Sequence, residues 1–405
     1  MSGEGREAGA SAYVLAPRMV NFLAFGSGLA VATNYYAQPL LPLLAAHFGV
    51  GTVQAGLVVT VSQLGYIIGL VLLVPLGDRL DRRRLLTATS ALTAIALAAM
   101  GLASSFHMLA VMAALAGFTS VTAQILVPLS AHLAEPSRRG RVVSAVMSGL
   151  LLGILLARTV AGLVAHVAGW RAVYLLAALL MAFFALACWR RLPGIAPTAQ
   201  GSYLKLLASI FRLFREEPVL RRRALMGAMS YGAFGAFWTS MAFMLRDVHA
   251  MGEAGIGSYA LVGAVGALCA RFAGRLADLG WARLSTGAFL ACGALSWPLL
   301  GAGPHSLWTF AAGILLFDLG IQGAHISNQS EIYRLRPEAR SRLTTCYMST
   351  YFLGGAFGSA LSAVLFHAHG WAGVCWLGAA MGTLALAIWA MTELRWPLPA
   401  MRRPV

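Results

Sequence analysis

Residues 74–84 read Val-Pro-Leu-Gly-Asp-Arg-Leu-Asp-Arg-Arg-Arg, and the last seven of these carry six charges. On either side lie runs 53–76 and 85–105, which hold no Asp, Glu, Lys or Arg. A helix crosses a bilayer with about 20 apolar residues, so each run is long enough to span one. Backbone groups in lipid must be satisfied within the segment or by a closed barrel, and long uninterrupted runs of this kind indicate helices. The stretch is therefore a tight charged turn between two transmembrane helices.

Working outward from this turn, the same alternation fills the chain. Apolar runs bounded by charges or turn residues fall at 19–39, 53–76, 85–105, 108–132, 143–167, 171–190, 223–245, 256–276, 283–302, 306–330, 343–366 and 371–392, numbered helices 1 to 12 here. The predicted fold class is an all-α integral membrane protein of twelve transmembrane helices. Its composition agrees: 59% of the 405 residues are hydrophobic and 11% charged, against about 45–50% and about 25% in soluble domains. No stretch is left for a sizeable soluble domain. Residues 1–17 are polar, and the run after them is too long for a signal-peptide core and lacks a clear cleavage site, so it reads as the first span.

A net charge of +16 raises the question of nucleic acid, but the arginines sit in short loops, not on one compact face. With the N-terminus inside, the inner segments hold 27 of the 30 Lys and Arg residues. The outer loops hold Arg171 and Arg246, and Arg158 lies within a helix. This asymmetry predicts that both termini are cytoplasmic. The five cysteines all lie in apolar runs without metal-ligand spacing, so no metal site is expected. No Gly-rich phosphate loop with its lysine is present, which argues against ATP-driven transport by this chain, and no cofactor is expected.

Arg190 to Arg223 is the one long connection. After Pro193, Gly194 and Pro197, residues Tyr203, Leu207, Ile210, Phe211 and Phe214 recur at helical spacing opposite Lys205, Ser209, Arg212 and Arg215. That pattern suits a helix lying at the inner membrane surface; a solvated linker helix is the alternative. The predicted domains are a six-helix half over 1–190, a linker over 191–222 and a second six-helix half over 223–405.

The two halves repeat each other. Leu76-Gly-Asp78 recurs as Leu276-Ala-Asp278 at an offset of 200. At an offset of 201, Pro136 matches Pro337, Arg139 Arg340, Arg141 Arg342, Met147-Ser148 Met348-Ser349, Gly153 Gly354, His166 His367 and Gly169-Trp170 Gly370-Trp371. Parallel six-helix repeats place a binding site between the halves.

With these elements the chain resembles the major facilitator superfamily, and within it the bacterial twelve-helix drug or sugar efflux permeases. The sharpest element is the 76–84 loop, similar to the family's Gly-x-Leu-Ala-Asp-Arg-x-Gly-Arg-Arg signature, with Asp78 and Arg79 in place and Val74 and Asp81 where glycines are usual. Gly274-Arg-Leu-Ala-Asp278-Leu-Gly280 is its second copy. The resemblance implies a cytoplasmic gate of Asp78, Arg79 and Asp278, with Asp78 near the start of helix 11 and Asp278 near that of helix 5. Carboxylates are favoured at helix N-termini; a loop charge serving topology alone is the other reading. The stripes Gly149-x3-Gly153-x3-Ala157 and Gly354-x3-Gly358 let helices approach closely, and in the family these helices face the opposite half. Two features of the efflux-type relatives are absent. Ala157-Arg158 stands where a Gly-Pro pair is usual in helix 5, and Ala113 stands where helix 4 often carries an arginine.

Ionisable residues deep in a membrane are functional candidates. Arg158 lies about 15 residues into helix 5 and Asp318 about 12 into helix 10, near mid-bilayer at about 1.5 Å per residue. Gln322 and His325 share a helix face with Asp318, and Asn328 continues it. Asn34, Tyr35 and Gln38 cluster on helix 1, Gln124 lies on helix 4, and Tyr231 and Trp238 stand seven apart on helix 7. The resemblance implies that helices 1, 4, 7 and 10 line a cavity, making Asn34, Tyr35, Gln38, Gln124, Tyr231, Trp238, Gln322 and Asn328 candidate wall residues. Interhelical hydrogen bonding or packing is the alternative for each. Asp318, Arg158 and His325 are the candidates for proton coupling. The expected function is secondary transport of small organic solutes by alternating access, as proton-coupled export from the bacterial inner membrane. Uniport or proton symport for uptake and a membrane-embedded enzyme are the competitors, the last lacking a second mid-membrane carboxylate. The expected partners are a small-molecule substrate, protons and lipid, with a monomer as the family state.

Overall fold

A computed structural model describes residues 16–135, 138–194, 202–269, 275–276, 279–336 and 339–394, with the side chains of 78, 267–269 and 394 outside that description. Among the described residues the regular structure is entirely helical. Seven stretches are long and apolar enough to cross a membrane by length and composition alone, and two of these, Arg139–Arg191 and Arg340–Glu393, are over fifty residues long.

Those two long stretches are each a pair of helices. Gly169 (φ 79°) and Gly370 (φ 60°) interrupt them with non-helical backbone. Positive φ is nearly free for glycine and costly for other residues. The repeated Gly-Trp pair is thus the hinge between helices 5 and 6 and again between helices 11 and 12. Three further spans bring the total to twelve. Helix 1 is broken into Pro17–Ala32 and Ala37–Phe48. Helix 7, Pro218–His249, carries several arginines in its first turns. Helix 8 is described over Glu253–Cys269.

Local signals explain the other ends. Asp81 accepts from the Arg83 amide at 2.9 Å and caps helix 3, Arg82–Gly101. Ser105 and Ser306 cap helix 4 and helix 10 (Leu307–Leu335) in the same way. A side-chain oxygen at this position satisfies an orphan amide of the first turn. The aspartate standing at a customary glycine position of the 76–84 loop is therefore a helix cap. Helix 4 is interrupted between Phe106–Thr119 and Thr122–Leu133, and Asn34 in the break of helix 1 donates to Ser120 there at 3.2 Å.

The helix 5 glycines pack differently from expectation. A Cβ on Gly149 or Gly153 would strike the helix 1 backbone at Ala24 or Gly28, and one on Gly354 or Gly358 would strike helix 7 at Ala228 or Gly232. These stripes weld helices within each set of six. The seam between the sets uses other positions: Gly56 of helix 2 against Ala363 of helix 11, and Gly162 of helix 5 against Gly257 of helix 8.

The linker helix forms over Tyr203–Glu216. It buries Ile210 and Leu213 and exposes Leu204 and Phe211. Cys346 of helix 11 donates to the Ile210 carbonyl, and Tyr203 donates to the Leu72 carbonyl at the end of helix 2 (Thr52–Leu72).

Candidate functional site: a tyrosine-lined cavity over a buried charge cluster

Between the two sets of six helices lies a cavity of about 260 Å³. Its walls run from Tyr35 and Tyr231 to Val74, Pro128, Tyr333 and Ser341, so it opens toward the end of the bundle that carries the arginine-rich loops. Among its described lining residues there is no Asp, Glu, Lys or Arg. Amides from Gln124, Gln322 and Gln329 and the ring of His325 supply polarity. Aliphatic side chains make up much of the rest, with a group of rings among them: Tyr231 stacks on Tyr351 at 4.1 Å, and Tyr66 leans on Phe352 at 4.5 Å.

At the other end the two sets are shut together. The Tyr35 and Tyr231 hydroxyls meet across the seam at 3.2 Å and floor the cavity. Beyond them Thr159 donates to the Gly257 carbonyl at 2.9 Å, Thr60 to Ser359 at 3.5 Å, and Arg246 to the Pro42 carbonyl at 2.7 Å. Each of these bonds joins one of the first six helices to one of the last six.

The two mid-membrane charges lie on this shut side, below the tyrosine floor, and each is only 4% exposed. Arg158 donates through Nε to Gln38 Oε1 at 2.5 Å. Its guanidinium lies over Trp238 at 4.0 Å, Tyr35 at 4.6 Å and Phe234 at 5.3 Å. Such stacking holds a cation that has lost its water, at about 0.5–2 kcal/mol per ring. Asp318 makes no direct ion pair with Arg158 but lies within electrostatic reach of it, and the Trp238 indole is close by. Its carboxylate fills the space left by the missing side chain of Gly263 on helix 8. The cluster is shared: Gln38 and Arg158 come from the first six helices, and Phe234, Trp238 and Asp318 from the last six.

Several of the sequence expectations are relocated. Tyr35, Gln124, Tyr231 and Gln322 line the cavity. Gln38 and Trp238 instead surround Arg158, because a buried guanidinium draws the nearest amide and ring to itself. Asn34 ties the breaks of helices 1 and 4 and is absent from the wall. Asn328 accepts from Arg223 Nη1 at 3.3 Å within a buried knot in which Arg223 also binds Thr286 at 2.9 Å and Glu393 at 3.1 Å. His325 lies on the cavity side with Nδ1 3.1 Å from the Tyr347 hydroxyl, two turns along helix 10 from Asp318 and not in contact with it. Arg79 ends the short turn after helix 2, half-buried, while the Asp78 side chain and Asp278 lie outside the described residues. Sequence reasoning missed Tyr66, Phe234, Tyr351 and Phe352.

A polytopic helical bundle of twelve spans around a central cavity open at one end is the architecture of a membrane solute transporter. The chain belongs to the Major Facilitator Superfamily, whose family model matches residues 23–332. It is 47% identical over 376 residues to the "Uncharacterized transporter YgaY" of Escherichia coli O157:H7, covering 93% of this chain and 95% of that one. It is 22% identical over 361 residues to the "Probable sugar efflux transporter" of Helicobacter pylori (strain ATCC 700392 / 26695), covering 87% and 90%. Among solved structures it superposes on a bacterial homologue of the human lysosomal transporter Spinster in an inward-facing, unoccupied conformation. That likeness has a TM-score of 0.73 at 15% identity, over 93% of this chain and 95% of the other. The protein is a multi-pass membrane transporter and not an enzyme.

Proposed function

We propose that the chain exports small uncharged organic solutes across the bacterial inner membrane in exchange for protons, by alternating access. The observation that carries this reading is the division of labour along the seam. A cavity with no charged residue among its described lining, walled by aliphatic side chains, tyrosines and amides, opens toward the arginine-rich end, and a separate acid–base cluster is sealed beneath it at the shut end. Lys and Arg collect in cytoplasmic loops, so the open end is the cytoplasmic one and both termini lie there. Export as the direction is supported by the chain's overall resemblance to bacterial efflux permeases and by the relative named for sugar efflux.

The wall chemistry supports the substrate class. A charged solute entering this cavity would lose water without gaining a counter-charge, which is costly. A neutral ring stacks on Tyr231, Tyr351 and Phe352, while its hydroxyls or carbonyls bond Gln124, Gln322 and Gln329.

Coupling follows from the shared cluster. Opening the shut end separates Gln38 and Arg158 from Trp238 and Asp318 and admits water between them. A carboxylate that is wet in one state and dry beside a guanidinium in the other changes its proton affinity with conformation, and such a change is what coupling requires. Asp318 is the proton carrier, Arg158 the fixed counter-charge that stays protonated throughout, and Gln38 the residue that aims it. His325 acts on the cavity side, as a hydrogen-bonding wall residue. Asp78, Arg79 and Asp278 form the cytoplasmic lock that engages when the cavity closes.

Proteoliposomes test the reading. A panel of neutral ring-bearing solutes is screened by thermal shift, and hits are measured by counterflow and under an imposed pH gradient. Gradient-driven movement of a neutral hit supports the proposal. Counterflow that is indifferent to the gradient assigns the chain to uniport.

A further inference from the structure

Outside the transport pathway, the linker helix roofs a second cavity of about 210 Å³ at the arginine-rich end. We propose that this cavity binds the phosphate of an anionic phospholipid headgroup, held by Arg212 of the linker helix and Arg342 of helix 11.

Charge accounting leads there. Of the three arginines around the cavity, Arg336 is already matched: its Nη1 lies 3.3 Å from Glu216 and its Nε 2.7 Å from Glu217. Arg212 and Arg342 have no carboxylate partner among the described residues; they line the same space as Ser209 and as Glu216, whose carboxylate is held by Arg336. Arg212 is exposed and Arg342 half-buried, so water screens the two cations only in part and an anion shared between them lowers the energy of both. Helix 11 begins at Arg340, so the positive end of its dipole adds to the potential at the same place.

The surroundings select a lipid as the anion's source. The linker helix docks through Ile210 and Leu213 yet leaves Leu204 73% and Phe211 62% exposed. Exposed apolar side chains beside basic residues are the pattern of a helix seated at the headgroup level of a bilayer. Phe211 adjoins Arg212 in the chain, so an acyl chain and its phosphate find their partners on neighbouring residues. The repeat supplies an internal comparison. Arg141 matches Arg342 at the offset of 201, but Arg141 is exposed, and the linker helix lies over the helix 11 copy. The site is thus built by the linker and not by the repeat. Since the same helix also reaches helix 2 through Tyr203, a bound headgroup would brace the linker against the start of helix 11.

The test uses the full-length protein in detergent, titrated with phosphatidylglycerol, phosphatidylcholine or inorganic phosphate, with bound molecules counted by native mass spectrometry. Phosphatidylglycerol is retained in preference to phosphatidylcholine, and inorganic phosphate does not displace it. Arg212→Gln with Arg342→Gln weakens phosphatidylglycerol binding about 30-fold, from the ordinary worth of two basic residues at an anionic surface. Arg212→Lys with Arg342→Lys, which keeps both charges, retains it, and so controls for misfolding. Arg215→Gln on the same helix but outside the cavity leaves binding unchanged. Unchanged binding in the double Gln variant, or an equal loss in Arg215→Gln, overturns the site. Full displacement by inorganic phosphate overturns the lipid as its ligand.

Discussion

Gly257→Ala on helix 8 gives a steric test of the seam that shuts the far end. A Cβ there would stand 2.9 Å from the Arg158 carbonyl oxygen, 3.2 Å from Gly162 Cα and 3.4 Å from Thr159 Cα. Carbon–oxygen contacts at helix interfaces settle near 3.3–3.6 Å, so helices 5 and 8 must part by about 0.4 Å or more. The Thr159–Gly257 hydrogen bond stretches with them. Overpacking of this size costs about 1–3 kcal/mol, and here the cost falls only on the conformation in which the two helices touch. The far-end-shut state should therefore lose population by roughly 5- to 150-fold relative to the far-end-open one. Gly153→Ala is the control. Its Cβ strikes the Gly28 backbone within the first six helices, which move together, so it lowers stability in both states without shifting their ratio. Spin labels at Gly51→Cys and Gly252→Cys, in a background lacking the five native cysteines, report far-end separation. The distance distribution should shift to longer values in Gly257→Ala and stay put in Gly153→Ala. An unchanged distribution in a folded Gly257→Ala protein refutes the assignment of this seam as a closing surface.

Three further outcomes are expected. Arg223→Gln leaves the Glu393 carboxylate with Arg283 alone (3.2 Å) and takes the donor from the Asn328 carbonyl, so it should cost about 1–3 kcal/mol of stability, seen as a lowered melting temperature with transport per folded molecule preserved. Tyr231→Phe removes the cross-seam hydroxyl contact but keeps the stack on Tyr351, so a neutral ring-bearing substrate should keep its affinity to within a few-fold, while Tyr231→Ala should lose about 10-fold or more as the ring contact goes; equal affinities in the two variants would remove Tyr231 from the substrate site. Cysteines placed at positions 82 and 171 should react with impermeant reagents from opposite sides of the membrane, with 82 on the cytoplasmic side.

The spans and their pairing into two repeats were legible because charge is expensive in lipid and the loops hold nearly all of it. The Gly-Trp pairs were legible only as matches between the repeats; their positive-φ glycines make them hinges, which the sequence pattern did not disclose. Asp318 and Arg158 stood out for the same electrostatic reason, and both are buried at the seam. The aromatic wall did not stand out. In a membrane helix that is apolar all round, a tyrosine facing a cavity and one facing a neighbour have the same sequence context. Departure from the repeat would have found part of it: Tyr351 stands where the first half has Leu150. The small-residue stripes were recognised, but spacing defines a face and not the helix it meets, which is why Gly149 and Gly153 proved to serve helix 1. Gln38 and Asn328 were read as wall residues because polarity in an apolar run signals an interior partner, and Trp238 as an aromatic wall seven residues from Tyr231. For each the nearest partner is a buried arginine.

The central claim, that conformation is converted into proton movement at Asp318, is tested most directly by Asp318→Asn in proteoliposomes carrying a solute that wild-type protein moves. The substitution keeps the shape of the group that fills the space beside Gly263 and removes its ability to gain and lose a proton. Solute exchange at equal pH on both sides needs no net proton transfer and should continue. Accumulation driven by a pH gradient should vanish. Gradient-driven accumulation at the wild-type rate in Asp318→Asn would contradict the account, and loss of both activities in a folded protein would move Asp318 from the coupling site to the substrate site.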